Sequence, residues 1–175
     1  MIQLIYNALC QEEDKFECMK FLLERLPDAK NFIDNKKLLF KAKNASETRL
    51  LLDHGANVNI KDKYGLTPLH RAKTEEQTRL LLDHGADINA KNGWGITPLH
   101  QPNTEAQTKL LLEAGADVNV KDYFGRTPLV YTSSIQVLKL LVEAGAVVTA
   151  ECIDIALSEH ERKFLQEVMD KEKEN

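Results

Sequence analysis

The tetrapeptide His54-Gly55-Ala56-Asn57 returns 30 residues later as His84-Gly85-Ala86-Asp87, then as Ala114-Gly115-Ala116-Asp117, then as Ala144-Gly145-Ala146-Val147. A second block keeps the same step: Thr67-Pro68-Leu69-His70, Thr97-Pro98-Leu99-His100, Thr127-Pro128-Leu129-Val130. Projected back once more it becomes Lys37-Leu38-Leu39-Phe40, where only the leucine survives. Leucine triplets at 50–52, 80–82 and 110–112 share the period, with Leu140-Leu141-Val142 as the fourth member. Seven of the eight glycines sit at two positions of the repeat, leaving only Gly93 without a place. A unit this short cannot close a core alone. Its copies must bury their apolar faces on one another, so the period predicts a one-dimensional stack.

One copy, 67–96, shows what each unit folds into. Pro68 suits the first position of a helix, where a missing N–H costs nothing, so a first helix is expected over about 68–73. Thr74-Glu75-Glu76-Gln77 reads as a capping box opening a second helix that runs to about Asp83. Thr104 and Asn44 open the same pattern in the neighbouring copies. Thr78, Leu81 and Leu82 share a face at i, i+3, i+4 spacing and are expected to be buried. Gly85 suits the left-handed position that ends a helix, and 87–95 reads as an extended segment with a tight turn.

The Thr-Pro-Leu-His block, the run Leu80-Leu81-Leu82-Asp83-His84-Gly85-Ala86-Asp87-Ile88-Asn89, and Asp62-Lys63-Tyr64-Gly65 with its counterparts resemble the ankyrin repeat over about residues 37–149. The resemblance implies an all-α solenoid of stacked helix pairs with β-turn fingers. Chain 1–175 is then one ankyrin-repeat domain. An N-terminal capping helix pair covers 1–36, with helices at 2–10 and 14–26. Repeats follow at 37–66, 67–96 and 97–126, then a last repeat at 127–149. Capping helices fill 150–175, at 150–157 and 159–170, with Ile153, Ala156, Phe164, Leu165 and Val168 apolar and a frayed tail from Lys171. The usual period is about 33 residues. The shortfall falls between the two helices of each unit, so the first helix is expected to be a turn short. Pro102 shortens its copy further. Terminal units need a polar outer face. Segment 151–175 carries a net charge of −4 and segment 1–30 a net charge of −2, which fits.

Composition removes most other functions. The net charge is −4, which argues against general nucleic-acid binding. No apolar run reaches the ~20 residues of a membrane helix. The first residues lack a basic region, so no secretory signal is expected and the location is read as cytoplasmic, with delivery into a host cell left open. Cys10, Cys18 and Cys152 form no CxxC pair and read as reduced thiols. No phosphate loop, nucleophile elbow or zinc-protease motif occurs, so no catalytic residue, metal or cofactor is assigned. The minority reading is a metal-binding or enzymatic site on the His54/His84 ladder, a weak ligand set without carboxylates.

The resemblance implies a protein partner held on the concave face of fingers and first helices. Tyr64, Trp94 and Phe124 occupy one finger position, with Tyr123 beside Phe124. These four are the expected anchors, since interface energy concentrates in aromatic and Arg side chains. Lys63, Leu66, Ile96, Arg126, Arg71 and Gln101 complete the candidate partner-binding set. Lys61, Lys91 and Lys121 form a parallel row of cations, the only feature suiting nucleic acid. The resemblance also implies that Asn59, Asn89 and Asn119 bond the finger backbone and are possible hydroxylation sites in animal cells. A monomer when unbound is expected, acting as an inhibitor or immunity-like protein on one partner, or as an adaptor between two.

Overall fold

A computed structural model describes residues 15–101, 104–155 and 158–174. The expected helix at 2–10 lies outside these residues. Among the described residues the chain holds eight α-helices, four 3₁₀ turns and no strand. The helices are α1 (Lys15–Arg25), α2 (Ala29–Asn35), α3 (Ala45–Asp53), α4 (Glu75–Asp83), α5 (Glu105–Glu113), α6 (Ile135–Glu143), α7 (Ala150–Ile155) and α8 (Glu159–Glu174). α3, α4, α5 and α6 pack successively side by side, and the 3₁₀ turns form a second row.

The first element of each unit differs from the expected short α-helix. It is a single 3₁₀ turn: Leu38–Lys41, Pro68–Arg71, Pro98–His100 and Pro128–Tyr131. Ala72 is already extended, and Thr74 already caps α4. Two residues of link leave no room for an α-turn and the chain reversal together. The third turn is the shortest, because Gln101 precedes Pro102 and is driven to an extended ψ of 154°.

Thr74 accepts the amide of Gln77 at 3.2 Å, as a cap should. Gln77, however, reaches back to the Lys73 amide rather than to Thr74. Of the boxes expected at Asn44, Thr74 and Thr104, the reciprocal one closes at Thr104 with Gln107. Both glutamines are buried, and their amide groups cross to the preceding unit. Gln77 Nε2 donates to Thr48 Oγ1 at 3.2 Å, and Gln107 Nε2 donates to Thr78 Oγ1 at 3.3 Å and to the Ala72 carbonyl at 3.0 Å. The shortened link thus has its carbonyl satisfied by the next unit, as a buried polar group requires.

Two leucine ladders make the spine: Leu39, Leu69, Leu99 and Leu129 from the turns, and Leu51, Leu81, Leu111 and Leu141 from the helices. They join one apolar cluster running from Met19 to Leu165. Truncating one such leucine to alanine costs about 2–5 kcal/mol. Thr78 and Leu81 are buried as expected, whereas Leu82 is only half-buried and Leu80 takes its place in the core.

The ends depart further from expectation. Asp28 accepts the Asn31 amide and opens α2, a helix not foreseen, where later units carry a finger. Its Asp34 accepts the Asn57 amide at 2.9 Å, the task that asparagine performs in the following units. At the other end α7 is helical through Ile155, and Ala156 lies outside the described residues. Ser158 and Glu161 close a capping box on α8, and that helix continues to Glu174, so the frayed tail is not seen. Ile153 and Leu165 are buried, with Phe164 and Val168 packed against the cluster.

Candidate partner-binding surface

Three fingers project beside the 3₁₀ row, each organised by one polar side chain. Asp62 Oδ1 accepts the amides of Tyr64 (2.8 Å) and Leu66 (3.0 Å). Asn92 treats Trp94 and Ile96 alike, and Asp122 treats Phe124 and Arg126 alike. The second asparagine ladder ties each finger to the next helix end. Asn59 Oδ1 accepts the Asp87 amide and its Nδ2 donates to the Gly85 carbonyl, while Asn119 does the same with Val147 and Gly145. Asn89 accepts the Asp117 amide.

Neighbouring fingers also bond directly. Gly93 donates to the Tyr64 carbonyl at 2.8 Å, and Tyr123 donates to the Trp94 carbonyl at 3.0 Å. A Cβ on Gly93 would sit 3.1 Å from the Tyr64 carbonyl oxygen, a tight contact, yet Tyr123 makes the equivalent bond one unit later with a side chain in place. The lysine row is consumed in the same way. Lys37, Lys61 and Lys91 each donate their ammonium to the backbone carbonyl of the following row member, at 3.2–3.3 Å. These bonds act as joints between fingers.

His70 and His100 brace the fingers from below. Each Nδ1 accepts its own threonine amide at 3.1 Å, which fixes the neutral Nε2–H tautomer. Nε2 then donates to the Ile96 carbonyl (3.0 Å) and the Arg126 carbonyl (3.3 Å). Burial pushes both imidazoles below their ordinary pKa, outweighing the carbonyl bonds that favour the proton. Val130 stands at this position in the unit whose next neighbour is a capping helix. His54 and His84 use Nδ1 on the Leu50 and Leu80 carbonyls, closing helix C-termini. Among the described residues no group of three or more metal-ligating side chains occurs.

The aromatic candidates stay exposed on this framework: Trp94 by 44%, Phe124 by 67% and Tyr123 by 70%. Trp94 is not free on both faces, because Tyr64 stacks on it with centroids 5.8 Å apart. Lys63 lies 4.7 Å over Tyr64, and the Tyr123 ring covers Gly95. Leu66 and Ile96 are half-buried and serve mainly through their backbone groups, as does Gln101 through its extended link.

The two arginines differ from expectation. Arg71 pairs with Asp62 at 2.9 Å. Arg126 pairs with Asp122 at 3.0 Å, its guanidinium 4.8 Å from both the Phe124 and Tyr131 rings. Tyr131 also donates its hydroxyl to Asp122. Burial raises the Asp122 carboxyl, but that hydroxyl, two amides and the guanidinium together hold it at about 2. Burial and the same carboxylate push Tyr131 up to about 12. Both arginines therefore lock finger tips before they can serve a partner. Sequence reading missed Asn92, Asp122 and Tyr131, quoted Asp62 only as part of the finger motif, and read the two glutamines only as capping residues, not as links between units. The signal was present in the 30-residue step joining Asp62, Asn92 and Asp122.

Stacked units with ordered turn tips define a helical-repeat binding scaffold. The family model described as ankyrin repeats (3 copies) matches residues 5–92 and 73–152, so the chain belongs to the ankyrin repeat family. That family supplies protein–protein interaction modules and is generally non-enzymatic. Comparison with curated proteins gives no match. Among the described residues no helix is long and apolar enough to cross a membrane.

Proposed function

We propose that the finger side of this stack grips one partner protein and masks it, in the manner of an inhibitor or immunity protein. The observation that carries this reading is the exposed aromatic set Tyr64, Trp94, Tyr123 and Phe124 on turn tips already locked by Asx bonds, amide ladders and buried histidines. A preorganised surface loses little conformational entropy on association, so its aromatic area converts efficiently into affinity. Lys63, Leu66, Ile96 and Gln101 border the anchors. Arg71 and Arg126 contribute by holding the tips. Cys18 and Cys152 form no disulfide, which suits a reducing, cytoplasmic setting.

The test is the double variant Trp94→Ala/Phe124→Ala. It loses a partner that co-purifies with the natural chain from its native source, while its thermal midpoint falls by only about 3 °C for the lost Tyr64 stack. Loss of folding and binding together would mean that the aromatics are finger packing. Mass measurement of the complex separates the modes, since a one-to-one assembly supports masking and a ternary one supports an adaptor.

A further inference from the structure

The shortened link between turn and helix has a second consequence at the first unit boundary. A cleft of about 320 Å³ opens between the Leu38–Lys41 and Pro68–Arg71 turns. That is the small end of the range for ligand sites. Its lining is mixed, with apolar surface from Phe40, Pro68 and Ala72 beside Thr48 and Gln77, and it carries Lys41, Lys43, Arg71 and Lys73 with no carboxylate among the lining residues. Arg71 is committed to Asp62. Glu47 accepts the Lys43 backbone amide. Among the described residues the ammonium groups of Lys41, Lys43 and Lys73 form no ion pair.

The charge is local to this end. At the repeat position of Lys41 the later units carry Arg71, Gln101 and Tyr131; at that of Lys43 they carry Lys73, Asn103 and Ser133. Cations fill both positions in the first two units and neither in the last two. Nothing in the turn geometry requires this, since the uncharged third and fourth turns form the same row. The chain as a whole is acidic. A positive cleft with apolar surface on Phe40 and Ala72, on an otherwise negative protein, is complementary to an acidic segment that also carries apolar side chains.

We infer that this cleft receives an acidic, apolar-bearing segment of a partner protein, its carboxylates on Lys41, Lys43 and Lys73 and an apolar side chain on Phe40 and Ala72. The inference rests on the protein-binding reading above and gives the partner's chemistry at one end of the surface. The aromatic fingers hold the other end.

The experiment uses the full chain and a short fluorescein-labelled peptide alternating Glu and Leu, read by fluorescence anisotropy at low salt. Saturable binding is expected, weakened about tenfold by Lys43→Glu/Lys73→Glu and weakened by added salt. Circular dichroism confirms that this exposed pair of changes leaves the fold intact. Lys109→Glu/Lys139→Glu, on α5 and α6, leaves the affinity unchanged. Equal weakening by the two pairs, or equal binding of a Glu–Gln peptide, overturns the inference in favour of diffuse attraction. Tighter binding of a uridine oligonucleotide through the same lysines overturns the protein occupant. Trp94→Ala/Phe124→Ala keeps peptide affinity. If it also keeps the co-purified partner, the aromatic reading fails while the cleft stands.

Discussion

Replacing Gly95 with alanine isolates how much stability comes from finger resting on finger. Gly95 and Gly125 hold the same turn position, with φ of 78° and 82°. An alanine in this left-handed region costs about 1–2 kcal/mol at either site. Their surroundings differ. A Cβ on Gly95 would lie 2.7 Å from Tyr123 Cδ1 and 2.9 Å from the Tyr123 amide nitrogen, whereas one on Gly125 meets nothing within 4 Å. The tyrosine ring can rotate away, but the backbone nitrogen can retreat only if the fingers part. That parting breaks the bond from Tyr123 to the Trp94 carbonyl, worth about 1 kcal/mol, and adds overpacking strain of about 1 kcal/mol or more. Gly125→Ala is therefore expected to cost about 1.5 kcal/mol and Gly95→Ala about 3.5 kcal/mol. For a chain of this size these correspond to thermal midpoints lowered by roughly 4 °C and 10 °C. Gly65→Ala, whose Cβ would meet the Gly93 amide at 3.0 Å, falls between them. Urea titration followed by far-ultraviolet circular dichroism measures the free energies, and emission from Trp94, the sole tryptophan, reports the finger directly. Equal losses at Gly95 and Gly125 would refute the claim that the fingers are coupled, leaving only backbone conformation as the reason for glycine.

Other expectations follow from the same contacts. Gln107→Ala leaves the Ala72 carbonyl and the Thr78 hydroxyl without their inter-unit donor and should cost about 1–3 kcal/mol in urea titration, with Gln77→Ala comparable at the boundary before it. The histidines make stability depend on pH. His70 and His100 have folded pKa values below the unfolded value of about 6.5, so their contribution is complete above that value and is lost as the pH falls through the folded values. Denaturation midpoints should fall on acidification between about pH 7.5 and pH 5. His70→Gln/His100→Gln should be less stable near neutral pH with a flatter profile. An unchanged slope in that variant would show that other groups carry the dependence. Asp62 and Asp122, both held low, contribute their own loss only below about pH 4, outside this window.

The fold was legible because periodicity is a property of sequence alone. A 30-residue step in leucine, glycine and Thr-Pro-Leu-His leaves only a stack in which each unit's apolar face meets the next, and the buried Leu69, Leu81, Leu99 and Leu111 follow from it. The exposure of Trp94 and Phe124 was legible too, since turn tips lie far from that spine. The length of the first helix was not. Propensity at Pro68 and Leu69 favours an α-turn, but closing a two-residue link to Thr74 overrides it and leaves a 3₁₀ turn. α2 escaped notice because 29–35 lacks the finger signal without carrying a strong helical period.

The chain's order of residues determined that it repeats, how often, and where the helices capped by Asn44, Thr74 and Thr104 begin, because capping side chains and ladder leucines act within a turn or two of themselves. Only the tertiary structure decided what the charged and polar side chains do. Arg71, Arg126 and the lysine row look alike in sequence as free cations. In the stack, Asp62, Asp122 and the neighbouring carbonyls claim most of them, while among the described residues Lys41, Lys43 and Lys73 form no ion pair. Arg126 finds Asp122 within its own finger, but the partners of Arg71 and of the lysine row lie in other units, at distances that exist only once the units have stacked.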